Sequence, residues 1–387
     1  MLPLLCALLL RVEVLALLHP REASITAAEG VLHAVAEEDT VRLEGARTAG
    51  PAPLLRLGAA SSPLFVRVRG LPRPRRFPGA LEVSARGGVL HFINEVPLEE
   101  YVAGVVEAEL GPGAPPAALE ALAVVVRSFA VSRAEQAAAG TGPAPSRRHP
   151  TGAPLCDQTH CQVYQGQSRL PAAVEAARST RGEVLVLASG AVAPALHHGA
   201  CGGNTAAARE IWPAASPDDE EAGVAIDDAL EPESPGQGER APAACRARAG
   251  ELPLAWDVTV DAPGLAKALG ASLPLSLTVE PGPDGLLRRL HVAGLGALTA
   301  EEVHLRLGRA LGWSRVRSSR FSFTASEPSP GGVPAYTLRG RGHGHGVGLC
   351  QRGAIARATR GADRHQLLAR YFPLLRARPL PTGPRSQ

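Results

Sequence analysis

Two consecutive helical patterns, spanning residues 97 to 137, interrupt a chain that otherwise reads as short strands and turns. Pro97 suits a first helical turn, and Glu99 and Glu100 suit the positive end of its dipole. Leu98, Tyr101, Val102, Val105 and Val106 recur at helical spacing until Gly111-Pro112-Gly113 stops the run. Pro115-Pro116 opens the second helix, with a stripe of Leu119, Leu122, Val126, Phe129 and Ala130. No regular alternation of strand and helix surrounds this pair, which excludes a doubly wound parallel sheet. The expectation is a mixed α+β fold, strand-rich, with one helical hairpin.

The rest of the chain divides by composition. Met1 to Leu10 is apolar apart from Pro3, with its positive charge, Arg11, after the apolar run rather than before it. It reads either as a truncated secretory signal or as a first strand. Residues 11–80 read as an N-terminal β-rich lobe, 81–375 as one catalytic domain and 376–387 as a tail. Leu81–Arg86 and Val89–Ile93 flank Gly87-Gly88 as a hairpin. Residues 213–244 hold a run of acidic residues without a basic one among them, which suggests a mobile acidic insertion. A last helix is expected from Gln351 through Tyr371. No stretch approaches the roughly 18 apolar residues that span a bilayer. A net charge of +3 without a long basic stripe argues against nucleic acid. Arg67, Arg69, Arg73, Arg75 and Arg76 read as a solvated loop.

Chemistry concentrates at a few positions. At about 100° per residue, Leu98, Val102, Val105 and Glu109 share one helix face, while Glu107 points to the opposite side. A carboxyl group on an apolar face tends to be protonated or paired, and protonation at neutral pH is what a general acid needs. Fraying at Gly111 would instead bring Glu109 to solvent. Arg127 is a candidate ion-pair partner if the two helices pack as a hairpin. His149, Cys156, His160 and Cys161 put four soft or borderline ligands into one loop, a set suited to tetrahedral zinc. A Cys156–Cys161 disulfide is the competing use.

Two glycine-rich stretches follow. His197 to Thr205 contains Gly202-Gly203, which lets backbone amides approach a ligand closely. Glycine alternates with other residues from Gly340 to Gly348 and, if extended, presents His343 and His345 on one side. Cys201 and Cys245 could bridge the acidic insertion, with Cys350 left alone.

Taken in order, these residues resemble the stage II sporulation protein D family, whose domain is shared with amidase-enhancer proteins. The resemblance rests on Asn94 to Val106 followed by Glu109, and on Ala121 to Ala130 with Arg127. It continues through Cys161 to Gly166 with Tyr164, Thr180 to Leu187, His198 with Cys201 to Thr205, Trp212, and Gly340 to Ala354. It implies a lytic transglycosylase that cleaves between N-acetylmuramic acid and N-acetylglucosamine in glycan strands stripped of stem peptides, leaving 1,6-anhydro ends. On this resemblance the essential carboxylate falls on Glu109 and the family arginine on Arg127. Substrate contacts fall on Tyr164, His198, Gly202, Gly203, His343, His345 and Gln351. A structural zinc falls on His149, Cys156, His160 and Cys161, although the loop spacing departs from the family's. Gly199, where members often carry Ser, is a further departure. The alternative is a glycan-binding module that stimulates a cell-wall amidase. Either role implies export to the cell envelope or beyond.

Overall fold

The structure, a computed structural model, describes residues 8–46, 48–58, 62–141, 149–229, 245, 253–282, 285–329 and 332–380. It has the expected mixed α+β, strand-rich character. The chain divides into two compact units, residues 1–185 with 377–387, and residues 186–376. The stretch 81–375, expected as one domain, is therefore shared between them. Nor is position 80 a boundary, because the strand Ala80–Arg86 is bonded to Leu54–Leu57 on one side and to Val89–Pro97 on the other.

In the first unit a five-stranded sheet runs Leu155–Cys156, Leu9–Val14, Val89–Pro97, Ala80–Arg86, Leu54–Leu57. Leu9–Val14 is thus a strand, with Leu10, Val12 and Val14 buried. It lies antiparallel to Val89–Pro97 and parallel to Leu155–Cys156. The expected hairpin is present: Arg86 pairs with Val89, and Gly87 and Gly88 take φ +55° and +73°, the left-handed pair that a two-residue turn needs. An antiparallel six-stranded sheet occupies much of residues 22–77.

Three helices follow, α1 (Leu98–Leu110), α2 (Pro116–Ala138) and α3 (Pro171–Ser179). One guanidinium ties them together. Arg127 of α2 is fully buried and grips Glu99 of α1 with two bonds, Nη2 to Oε2 at 2.6 Å and Nε to Oε1 at 3.1 Å. Its other N–H groups donate to the carbonyls of Ala177 and Glu183 and to the Thr180 hydroxyl. A buried ion pair holds only when its remaining donors are satisfied, as they are here.

The second unit has a three-stranded sheet ordered Ala255–Asp261, Val333–Arg341, Phe321–Ser329, and another ordered Leu277–Pro281, Leu287–Val292, Gly296–Thr299. Their apolar faces share a core with the helices Ala262–Leu269 and Ala300–Leu311, around Leu265, Leu290, Val303, Leu307 and Phe321.

Three expectations for this unit change. The acidic segment begins ordered: Ser216 caps the helix Pro217–Ala222, its hydroxyl accepting from the Asp219 amide while the Asp219 carboxylate accepts from the Ser216 amide. Residues 230–244 of that insertion lie outside the described residues. The last helix is two, Gln351–Thr359 and Arg364–Tyr371, because Gly361 turns at φ +95° and Asp363 caps the second. The glycine run is not an extended strand beyond Arg341. Gly342 has φ +79°, and a Cβ there would overlap the Ala200 carbonyl oxygen.

Candidate active site and metal centre

Glu109 lies in the last turn of α1 and is half-buried. Its Oε1 accepts the backbone N–H of Val163 at 3.1 Å. Leu98, Val102 and Val105 are buried as expected, but so are Tyr101, Ala103, Gly104 and Val106, so the helix is enclosed all round from Tyr101 to Val106. Glu107 faces away, and it is not idle. Its Oε2 accepts the Ser168 hydroxyl at 2.6 Å and the amides of Arg169 at 2.6 Å and Leu170 at 3.1 Å, just ahead of α3. Burial pushes the Glu107 carboxyl up, but these three donors outweigh it and hold the group below its ordinary range.

Between those two contacts the segment crosses α1 closely. The Tyr164 ring packs on Tyr101 at 5.1 Å between centroids. Tyr101 O–H donates to Gln162 Oε1 at 3.0 Å. A Cβ on Gly104 would overlap the Gly166 carbonyl oxygen and come within 2.8 Å of the Tyr164 ring.

Two expected roles are corrected. Arg127 pairs with Glu99 rather than Glu109, because its side chain lies between α1, α3 and the turn that follows α3. Tyr164, expected at the substrate, is fully buried and donates its O–H to Asn94 Oδ1 at 2.9 Å. Sequence reasoning missed Glu99, whose place at the start of α1 looks like ordinary dipole chemistry. The arginine-rich loop also differs from its expectation. Arg73, Arg75 and Arg76, with Arg169 and Glu107, line a cavity of about 320 Å³ on the Glu107 side of α1, and Glu109 does not line it.

His149, Cys156, His160 and Cys161 converge, with one ligand atom from each lying within 4.8 Å of the others. His149 Nε2 is 2.8 Å from His160 Nε2 and 3.6 Å from Cys161 Sγ. Cys156 Sγ is 3.3 Å from His160 Nδ1. The tautomer of His149 follows from chemistry: Nδ1 lies 2.7 Å from the Ala153 carbonyl, which only accepts, so Nδ1 carries the proton and Nε2 offers its lone pair to the cluster. Cys156 sits on the short strand that pairs with Glu13, which fixes one end of the loop. The Cys161 thiol is pushed down, first by its bond from Cys156 and then against burial by the two imidazoles. Both cysteines are unbridged. The donor set and its second contacts fit a tetrahedral thiolate–imidazole metal.

In the second unit, His198 is buried, with Nδ1 3.0 Å from the Val347 carbonyl. Burial pushes it down to about 3, and likewise pushes His345 down to about 4. His345 packs edgewise on His198 and tilted against Trp212. The amides of Gly202 and Gly203 are turned to sulfur, at 3.2 Å from Cys245 Sγ and 3.4 Å from Cys201 Sγ, which corrects their expected service to substrate. His343 pairs through its backbone with Ala200, and Gln351 opens the helix after Cys350 and is buried. The sulfurs of Cys201 and Cys245 are 3.3 Å apart and unbridged, and Cys350 is not alone but joins them.

Residues 86–187 match the family model described as Stage II sporulation protein. The match supports the stage II sporulation protein D family. That family is linked to peptidoglycan remodelling of the cell wall. The matched stretch carries α1, α2 and α3, with Glu109, Arg127 and all four residues of the thiolate–imidazole cluster. His198, Gly202, Gly203, His343, His345 and Gln351 lie beyond it. No curated protein matches the chain. Among the described residues, no helix is long and apolar enough to cross a membrane.

Proposed function

We propose that the chain is a peptidoglycan lytic transglycosylase with Glu109 as its single acid–base group. The observation that carries this reading is the Val163 amide on Glu109 Oε1, a fixed donor that sets the carboxyl rotamer at a half-buried helix end. Ordinary glycosidases use two carboxyl groups, one to protonate the leaving oxygen and one to attack or activate water. Here one group acts twice. In its acid form Glu109 still accepts that amide at Oε1 and carries one proton to transfer. Glu109 gives that proton to the oxygen linking N-acetylmuramic acid to N-acetylglucosamine. As carboxylate it then takes the proton of the C6 hydroxyl, whose oxygen closes on C1. The product is a 1,6-anhydro end, and no water is consumed.

In this reading Arg127 positions α1 through Glu99 and takes no part in proton transfer. Zinc, held by His149, Cys156, His160 and Cys161, would be structural, since four protein ligands leave no open position for a reacting water. The site would act in the cell envelope or outside the cell.

Incubation with glycan stripped of stem peptides tests the reading. Mass analysis should find chain ends one water lighter than hydrolytic ends, and Glu109→Gln should make none. A second reading is a glycan-binding module that stimulates a cell-wall amidase. The engagement of Arg127 with Glu99 favours it, because the arginine expected to assist catalysis is occupied elsewhere. Wild-type protein that binds glycan and stimulates an amidase, without anhydro ends, would establish it instead.

A further inference from the structure

Three thiols and a carboxylate from distant parts of the second unit meet in its interior. Cys201, Asp228, Cys245 and Cys350 are all buried, and one ligand atom from each lies within 4.8 Å of the others. Cys201 Sγ is 3.3 Å from Cys245 Sγ and 3.3 Å from Asp228 Oδ2. A tetrahedral zinc with bonds of about 2.3 Å to sulfur and 2.0 Å to oxygen would set such edges at about 3.5–3.8 Å. The cage is therefore within a few tenths of an ångström of the size required.

Backbone donors converge on the three sulfurs. Four backbone amides point at the sulfurs: Cys201 N–H and Gly353 N–H at Cys350 Sγ, both at 3.3 Å, Gly202 N–H at Cys245 Sγ at 3.2 Å, and Gly203 N–H at Cys201 Sγ at 3.4 Å. Cys350 is also the N-cap of the helix Gln351–Thr359, where a negative sulfur meets the positive end of the dipole. A free buried cysteine behaves as a small apolar group and needs none of these donors.

The carboxylate is divided between two tasks. Asp228 Oδ1 accepts the Tyr371 O–H at 2.9 Å and Arg357 Nη2–H at 3.1 Å, while Oδ2 faces the sulfurs. Orienting one carboxylate oxygen from outside while the other faces inward is the second-contact pattern of a metal ligand. Gly353 admits the arrangement, since a Cβ there would overlap both Asp228 Oδ2 and the Tyr371 hydroxyl. A disulfide would use two of the three sulfurs and leave the third, with the aspartate, facing a bridge that needs neither.

We infer that Cys201, Cys245, Cys350 and Asp228 form a second metal site, a closed three-thiolate, one-carboxylate cage for a tetrahedral divalent cation of the zinc class. With four protein ligands it is structural, and it fastens Cys245 to the turn after His198 and to the start of the helix Gln351–Thr359. This site is independent of Glu109 and of the proposed activity.

The full-length chain, purified with zinc and without exposure to oxidant, should hold about two equivalents by elemental analysis. Cys156→Ser with Cys161→Ser should retain about one, and Asp228→Asn in the otherwise unchanged chain should also lose one. Cobalt(II) loaded into the Cys156→Ser/Cys161→Ser protein should give thiolate-to-metal charge-transfer bands and strong tetrahedral visible bands. Adding Cys350→Ser should remove them. If the serine pair does not fold, the Asp228→Asn count in folded protein decides alone. The inference is overturned if folded wild type holds no more than one equivalent and Asp228→Asn leaves that content unchanged. It is equally overturned if peptide mapping of protein kept from oxidant finds a disulfide among Cys201, Cys245 and Cys350.

Discussion

The carboxylate of Glu109 is held by the backbone amide of Val163, two residues after Cys161 of the histidine–cysteine cluster. The orientation of the candidate acid is thus set by main chain, at the exit of the loop that would carry zinc. Any side chain but proline at position 163 leaves that donor in place, whereas a change in the loop's path moves it.

Glu109→Gln keeps the shape and can still accept from Val163. The protein should fold with an unchanged melting temperature and bind glycan, while anhydro product falls by about 10² to 10⁴-fold or more. Chain-end analysis by mass spectrometry measures this. Full activity in the variant would remove Glu109 from the mechanism.

Glu107→Ala should behave in the opposite way. It removes the acceptor of three donors at the entrance to α3, which should cost about 1–3 kcal/mol. Denaturant titration should register that loss. Turnover by the protein that stays folded should change less than in Glu109→Gln.

Arg127→Lys retains the charge but not the fork that holds Glu99 and four further acceptors. Breaking a buried, fully bonded pair costs about 3–5 kcal/mol, so the variant should be poorly soluble or melt far below wild type. A well-folded Arg127→Lys protein that fails only in turnover would show that the arginine has a chemical part after all.

Removing metal from the thiolate–imidazole loop should lower both stability and activity. Cys156→Ser should lose about one metal equivalent and melt earlier. Glycan cleavage should fall as well, because the Val163 amide stands at the end of that loop. Unchanged melting in metal-free protein would show that zinc is not its scaffold.

Acid should weaken the second unit through His198. Its imidazole is neutral in the fold and titrates at about 3, against an unfolded value near 6.5. As pH falls through about 6.5 the unfolded chain takes up a proton that the folded chain refuses, so stability declines down to about pH 3, with a limiting slope on the order of 1.4 kcal/mol per pH unit. His345, pushed down to about 4, adds to the decline over the upper part of the window. His197 and His345 lie near His198 and raise the cost of charging it, while Cys245 lowers that cost. Melting curves between pH 7 and pH 4 should shift downward, and by less in His198→Gln. An equal shift in the variant would place the titrating group elsewhere.

Local pattern was readable where a single element decides it. The hairpin around Gly87-Gly88 and the two helices follow from turn chemistry and apolar spacing that belong to one stretch of chain. Helix phase also separated Glu109 from Glu107. What phase could not supply was the partner. Arg127 is 28 positions from Glu99 and only 18 from Glu109, and no periodicity distinguishes a carboxylate at the start of α1 from one at its end. Tyr164 sits in a motif that invites a contact role, yet its burial depends on Tyr101 and Phe77 from other elements. Asp228 is one of several acidic residues in a run that reads as solvated. Only the meeting of the turn after His198 with the helix starting at Gln351 marks it out. Proximity of this kind is decided by tertiary packing, which composition does not record.

Residues 162–170 pass round the last turns of α1 like a collar round a shaft. Val163 grips one side at Glu109, Glu107 is clasped on the other at Ser168 to Leu170, and between them the chain slides past Gly104 with no room for a methyl group. Such a shaft cannot turn without breaking both grips, so the aim of the carboxylate is a mechanical property of the bearing. Gly104 then governs the site although it carries no chemistry. An alanine there would force the collar open and let Glu109 swing, with every acidic, metal-binding and basic side chain still in the sequence.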